Sequence, residues 1–245
     1  MDQQNFQPRS VVVTGGTTGI GRAIAYKMAA AGADVVLVGQ DSAHLEDTLN
    51  QADRAFRDKL KGVLADLSTE EGITHLFNEA DRQLNKLDIF INNAGLAAGG
   101  IGDGDYKKWS HVVQTNLTAY IACSAMATDR MKSSGGGHII HIGSMSAHTR
   151  EKSSAVYVAT KAGIQGFSES LRKEVNELGI KVTLIEPGAV DTDMQPASTD
   201  EKADSVDSME MLTANDIAEA VWYVATQARR CDVVELKIRP HLQLI

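Results

Sequence analysis

Hydrophobic and polar positions alternate in blocks along the chain. Seven short runs are rich in β-branched residues: Ser10–Thr14 (SVVVT), Asp34–Gly39 (DVVLVG), Leu60–Ala65, Asp88–Asn92 (DIFIN), His138–Ile142 (HIIHI), Lys181–Glu186 (KVTLIE) and Val233–Ile238. Their apolar residues are consecutive rather than alternate, the pattern of strands covered on both faces. Segments of helical period separate them, at about 20–31, 42–57, 70–85, 105–131, 154–178 and 214–228. Repeated strand–helix–strand units predict an α/β fold with a parallel sheet and right-handed crossovers. Two stretches break the rhythm. Ser133–Gly137 (SSGGG) reads as a flexible turn into a strand. Asp191–Met211 is polar and acidic with no strong period. A long polar excursion in a compact domain is either a substrate lid or a disordered loop.

Composition narrows the class. A chain of 245 residues lies between one domain and two, and no linker or internal repeat divides it, so 1–245 reads as a single domain. Hydrophobic residues at 43% and charged residues at 23% exclude a disordered or fibrous chain. The two cysteines, Cys123 and Cys231, have no His or Cys partner at ligand spacing. A zinc ribbon is thereby excluded and a reducing, cytoplasmic location is expected. Met1–Ser10 is polar, without the apolar core of a signal peptide, and no stretch reaches the roughly 18 apolar residues of a membrane span. Net charge is −8, from 24 basic and 32 acidic residues. Nucleic acid and anionic membranes are therefore poor partners, and a small molecule is the better one. His138 and His141, three apart on a strand, point to opposite faces and form no metal pair; no metal is expected. His148 and Arg150 either face a substrate or belong to a solvated loop.

Chemistry gathers at the strand ends. The first strand runs into Thr14-Gly15-Gly16-Thr17-Thr18-Gly19-Ile20-Gly21. Glycines at 15, 19 and 21 let the chain turn tightly and let backbone approach a pyrophosphate, while the following helix offers its N-terminal N–H groups. Thr17, Thr18 and Ile20 fall in the same cradle; a purely structural turn is the alternative. At the second strand end stands Gly39-Gln40-Asp41, where an adenosine ribose would lie. Asp41 either repels a 2′-phosphate or caps the next helix beside Ser42. Asp66 and Leu67 follow the third strand, where an adenine could sit; Asp66 either accepts its amino hydrogen bond or starts the next helix. Asn93, Ala94 and Gly95, after the fourth strand, suit close packing beside a cofactor or a plain turn.

Tyr157 and Lys161 are four apart in a predicted helix and share a face. Ser144 lies just past the fifth strand, thirteen residues before Tyr157, so the two can converge on the ligand edge of the sheet. A carbonyl that accepts hydride needs a proton donor. A phenol, with pKa near 10, is too weak an acid at neutral pH unless a neighbouring ammonium lowers it. A serine hydroxyl can orient the substrate oxygen. Asn116, inside the helix predicted over 105–131, either interrupts the hydrogen-bond ladder to hold a relay water with Lys161 or makes a packing contact.

With TGGTTGIG at 14–21, Asp66, NNAG at 92–95, Asn116, Ser144, YVATK at 157–161 and PGAVDT at 187–192, the chain resembles the short-chain dehydrogenase/reductase family over nearly its whole length. The resemblance implies a Rossmann-like, doubly wound sheet of about seven strands with helices on both faces. It implies hydride transfer between NAD or NADP and an alcohol or carbonyl. Tyr157 would be the acid/base, Lys161 would lower its pKa and bind the nicotinamide ribose, Ser144 would orient substrate, and Asn116 would anchor the relay water. Pro187, Gly188 and Thr192 would line the nicotinamide, with Val190 in the same cofactor-binding set. A homo-oligomer, tetramer or dimer, is implied, packed through the helices over 105–131 and 154–178. Ala155, Ala159, Ala162, Gly163 and Gly166 suit close helix approach there, or packing on the chain's own sheet. Relatives that prefer NAD carry an acid at the position of Gly39. Those that prefer NADP carry arginine at Gln40 and often a base at Thr18. This chain has neither, and the missing positive charges weigh towards NAD. Two rivals remain: a 3-oxoacyl-thioester reductase, with Arg130 and Arg172 as docking bases for an acyl carrier, and a non-catalytic dinucleotide-sensing regulator.

Overall fold

Residues 9–195 and 198–243 are described in the computed structural model. The first eight residues of the polar N-terminus, positions 196–197 of the acidic segment and the last two residues lie outside them. The elements run β1 (Ser10–Thr14), α1 (Gly19–Ala30), β2 (Asp34–Gly39), α2 (Ser42–Gln51), β3 (Leu60–Leu64), α3 (Glu70–Gln83), β4 (Ile89–Asn92), α4 (Tyr106–Val113), α5 (Ala119–Ser133), β5 (Gly137–Ile142), α6 (Ser146–Thr149), α7 (Ala155–Val175), β6 (Ile180–Pro187), α8 (Thr199–Asp207), α9 (Ala214–Ala225) and β7 (Glu235–Ile238). No helix among the described residues is long and apolar enough to cross a membrane.

The strands form one parallel sheet in the order β3-β2-β1-β4-β5-β6-β7. Val11 pairs with Val35 on one side and Ile89 on the other. The winding reverses between β1 and β4, and such a switch point opens a crevice at the strand C-termini. The consecutive apolar runs have a direct cause. Val12, Phe90, Ile139 and Val182 point to the face covered by α3, α5 and α7. Their neighbours Val11, Val13, Ile89, Ile91, Ile140 and Ile185 point to the face covered by α1 and α9. A strand buried on both sides has no polar position to alternate with.

Several predicted segments are redrawn. The helix expected over 105–131 is two helices joined by a wide π turn at Gln114–Thr118. The helix expected over 42–57 stops at Gln51. The acidic segment contains α8, started by a reciprocal cap in which the Ser198 hydroxyl accepts from the Glu201 amide and the Glu201 carboxylate accepts from the Ser198 amide. Its two ends are pinned together. Asp191 N–H donates to Leu212 O (2.8 Å), and Leu212 N–H donates to Ala189 O (2.9 Å).

His138 and His141 both end in the interior. His138 Nε2 meets Thr183 Oγ1 at 2.7 Å, and His141 lies between Ser124 Oγ (2.9 Å) and Ser168 Oγ (2.7 Å). Burial pushes both imidazoles down to about 3. In the unfolded chain they titrate near 6.5. Below that pH the unfolded state takes up protons that the folded state refuses, so stability present above about 6.5 is lost towards 3. Each histidine contributes a slope of up to about 1.4 kcal/mol per pH unit. In urea unfolding between pH 7 and 5, His138→Asn should show a shallower loss of stability than the unsubstituted chain; equal slopes would contradict this account.

Candidate active site

The crevice is built by one clamp. The Thr14 hydroxyl accepts from the amides of Asn93 (2.8 Å) and Ala94 (3.0 Å), and Asn93 Nδ2 donates to the carbonyls of Thr14 (3.0 Å) and Gly15 (3.1 Å). The glycine turn lies against this clamp. Gly15 has φ +61°, and a Cβ there would stand 2.8 Å from Ala94 Cα. A Cβ at Gly21 would stand 2.0 Å from the Gly15 carbonyl oxygen. Both positions therefore require glycine. Thr18 precedes α1 in extended backbone and makes no side-chain cap, so the N–H groups of the first turn are not taken by a side chain. Gly19 abuts the Thr192 methyl, joining the turn to the base of the acidic segment.

The end of β2 explains the missing acid. A Cβ at Gly39 would lie 2.5 Å from both branches of the buried Thr17 side chain. Thr17 is held in turn, its carbonyl accepting from Thr48 Oγ1 (2.7 Å) and from Arg22 Nη2 (2.7 Å). Gln40 is exposed beside it. Asp41 is the N-cap of α2, accepting from the His44 amide at 2.9 Å. Asp66 is exposed, and hydrogen bonds from the Ser68 hydroxyl and amide hold its carboxyl below the usual range. The Leu67 side chain is buried in the core, which leaves only its backbone for a ligand.

A cavity of about 530 Å³ opens beyond the turn. Ile20, Asn93, Gly95, Ser144, Tyr157, Lys161, Pro187, Gly188, Val190 and Thr192 are among the residues that line it. Ser144 acts on the Tyr157 phenol within this cavity, lowering its pKa. Lys161 is buried, donates from Nζ to the Ile142 carbonyl (3.0 Å) and stands 5.6 Å from the centroid of the Tyr157 ring. Burial pushes Lys161 down to about 8. The phenol departs from expectation. Burial raises Tyr157 and Glu151 adds to the rise, while the Ser144 hydrogen bond lowers it; Lys161 does not hold it down. The Lys161 ammonium, bonded to the Ile142 carbonyl and 5.6 Å from the ring centroid, is not among the groups that move the phenol.

Asn116 lies in the π turn, and its side chain makes packing hydrogen bonds. Oδ1 accepts from Leu96 N–H (2.7 Å), and Nδ2 donates to Leu96 O (2.8 Å) and to Thr160 Oγ1 (3.4 Å). The side chain fixes the backbone that follows Gly95. Glu151, Met194 and Gln195 also line the cavity, within the segments near 145–154 and 189–211 from which the sequence predicts the substrate pocket, whereas Gln243 lies outside them. Gln243 arrives from the tail and accepts from the Ala189 amide (3.1 Å). His148 turns away from the cavity. Its Nε2 meets the buried Glu186 at 2.7 Å, and Glu235 completes the cluster. Lys237 stands 2.7 Å from Glu235 and 4.0 Å from Glu186, so the cluster carries its own cation.

The short chain dehydrogenase family model matches residues 9–203. The chain belongs to this family. An uncharacterized oxidoreductase of Staphylococcus aureus is 38% identical over 234 residues, covering 94% of this chain and 96% of its own. The structure of a metagenomic short-chain oxidoreductase in complex with NADP is 27% identical, with TM-score 0.81 over 96% of this chain and 98% of that one. A 3-ketoacyl-(acyl-carrier-protein) reductase from Brucella melitensis complexed with NADH shares the fold, with 24% identity, TM-score 0.86 and coverage of 96% and 98%.

The Thr17–Gly39 contact can be tested by a double-mutant cycle. Gly39→Asp should destabilise the chain by about 1–3 kcal/mol through overpacking. In a Thr17→Ala background the same change should cost at least about 0.5 kcal/mol less. Additive costs in urea unfolding would show that Thr17 does not fill that space.

Proposed function

We propose that this member of the family is an NAD(P)-dependent alcohol dehydrogenase or ketoreductase, in which Tyr157 is the acid/base. The observation that carries the reading is the convergence of Ser144, Tyr157 and the buried Lys161 on one cavity. The cradle supports a dinucleotide: added Cβ atoms would strike neighbouring backbone at Gly15 and Gly21, and no side chain caps the first turn of α1. Gly15, Thr17, Thr18, Gly19 and Gly21 would hold the pyrophosphate, with Ile20 beside them. Gln40, Asp66 and Leu67 would meet the adenosine end. Asn93, Ala94, Gly95, Pro187, Gly188, Val190 and Thr192 would meet the nicotinamide end. The nicotinamide supplies or takes a hydride when bound. Ser144 orients the substrate oxygen, and the Tyr157 phenol gives that oxygen a proton in reduction and removes it in oxidation. Lys161, ionised at neutral pH with a pKa of about 8, keeps positive charge near the developing alkoxide.

The chain then acts as one domain, with 191–211 as a substrate lid pinned at its base and no need of nucleic acid, metal or membrane. A homo-oligomer in the cytoplasm fits the same reading. Ala155, Ala159 and Gly166 face outward on α7, whereas Gly163 packs on Leu117 of the same chain. The thioester-reductase rival loses a docking base, because Arg130 is bound bidentately to Asp81 (2.7 and 2.6 Å). The regulator rival has no use for a phenol tied to Ser144.

Tyr157→Phe should lower kcat/KM at least about 100-fold for any ketone that is turned over. Dinucleotide affinity, followed by nicotinamide fluorescence, should stay within about twofold, because the aromatic ring is kept. Near-normal turnover would end the assignment. Gln40→Arg should raise the NADPH-to-NADH ratio of kcat/KM by roughly tenfold, the worth of a charge-assisted hydrogen bond to a phosphate. An unmoved ratio would show that position 40 does not face the ribose.

A further inference from the structure

One charged side chain in the cavity has no part in the proton transfer described above. Glu151 lines the same cavity as Ser144 and Tyr157. It sits between two non-glycine residues in left-handed backbone, Arg150 at φ 50° with one residue and Ser153 at φ 70° with two residues of separation along the chain. Such conformations persist only where the surroundings fix them, and they gather at ligand-binding sites. Here the surroundings are three hydroxyls. Ser146 Oγ donates to Oε1 at 2.6 Å, Thr149 Oγ1 to Oε2 at 2.8 Å and Ser154 Oγ to Oε1 at 3.3 Å. Burial pushes the carboxyl up, but the hydrogen bonds from Ser146, its own backbone, Thr149 and Ser154 outweigh it and hold the group below the usual range. Glu151 is an oriented carboxylate at neutral pH.

Among the described residues no ion pair balances that charge. Among the described residues no lysine, arginine or histidine acts on the Glu151 carboxyl. The other charged residue lining the cavity, Lys161, is buried and bonded to the Ile142 carbonyl. Thr192, Met194 and Gln195 also line the cavity. Lys202 is turned onto Asp191 (3.2 Å) and the Thr192 carbonyl (3.2 Å). A cationic ligand in the cavity would therefore find this exposed carboxylate open to pair with it.

We propose that Glu151 forms a subsite for an ammonium group, so that the substrate class is an amino ketone or amino alcohol. The placement of the carbonyl at Ser144 and Tyr157 rests on the reductase reading; the ammonium subsite rests on Glu151 and its hydroxyls. Glu151 keeps lone pairs for N–H donors beyond the three hydroxyls it accepts. An anionic substrate would instead meet an unbalanced carboxylate, and like charges at a contact are costly.

Three ketones of one shape and different charge test this: para-acetylbenzylamine, para-acetylbenzyl alcohol and para-acetylbenzoate. Their binding to the full chain with NADP⁺, and separately with NAD⁺, is measured by calorimetry, and their reduction by NADPH and NADH is followed in parallel. The ammonium ketone should bind about two- to fivefold tighter than the alcohol, and the carboxylate weaker by a similar factor, the range of a partly exposed charge pair. The spread should narrow as salt is raised. Glu151→Gln keeps an oxygen for the hydroxyls and removes the charge, so the ammonium-to-carboxylate affinity ratio should fall towards one. A residue that merely ties the loop would change all three affinities together and leave the ratio in place. Equal binding of the three ketones, preference for the carboxylate, or an unmoved ratio in Glu151→Gln each overturns the subsite. Failure of all three to be reduced counts against the reductase reading instead, because the order of binding is read without turnover.

Discussion

The clamp between Thr14 and Asn93 is the constraint on which the site depends. Four hydrogen bonds join the C-terminal ends of β1 and β4, the two strands between which the sheet changes its direction of winding. Without such a tie the ends would be free to splay, since β1 and β4 share only three paired positions, Val11–Ile89, Val12–Phe90 and Val13–Ile91. With it, the glycine turn is pressed so closely onto the Ala94 backbone that Gly15 can have no side chain, and a Cβ at Gly21 would strike the Gly15 carbonyl and the Asn93 amide. The same close approach that excludes a Cβ leaves room for a ligand's phosphates on the open side of the turn. Asn93 thereby belongs to the turn as much as to its own strand, although 78 residues separate it from Gly15.

Burial sets the electrostatics of the reacting groups. Tyr157 and Lys161 are moved in opposite directions by one cause: desolvation favours the neutral phenol and the neutral amine alike. The result is a phenol that holds its proton and an amine pushed down to about 8, so the two neutral forms lie closer in free energy than they would in water. Positive charge arriving beside the phenol would then have a larger effect than in a solvated site, because little solvent screens it. If Tyr157 is the acid proposed above, its activation is left to the loaded complex.

Much of this was legible in the sequence, for reasons tied to particular residues. Strands buried on both faces produce unbroken apolar runs, and Asp34–Gly39 matches its predicted bounds for that reason. The glycine turn, Ser144, Tyr157 and Lys161 are legible because spacing on a helix and position at a strand end are local properties. The π turn at Asn116 is a change of winding within a continuous amphipathic pattern, and composition carries no sign of it. The upward shift of Tyr157 depends on how deeply the ring is buried by elements distant in sequence. The Thr17–Gly39 contact joins two turns that no periodicity relates. Glu151 was legible only as part of the segment near 145–154 expected to build the pocket, and Gln243 was missed, because only the folded chain brings the tail back to Ala189.

The division between what was read and what was missed follows a division of labour in the fold. Ser144, Tyr157 and Lys161 sit at a strand end and on the longest helix, where packing on the sheet fixes their geometry. Glu151, Met194 and Gln195 come from two excursions that leave the sheet edge and return to it. Each excursion is stiffened by polar contacts of its own: hydroxyls on Glu151 in one, and Lys202 on Asp191 with the Val190–Leu212 bridge in the other. Such contacts can be exchanged without disturbing the buried apolar layers, since they neither fill the core nor pair the strands. Chemistry held by packing and selectivity held by surface hydrogen bonds can therefore vary independently. In this chain the second set presents an unbalanced carboxylate to a cavity whose first set is arranged for a proton.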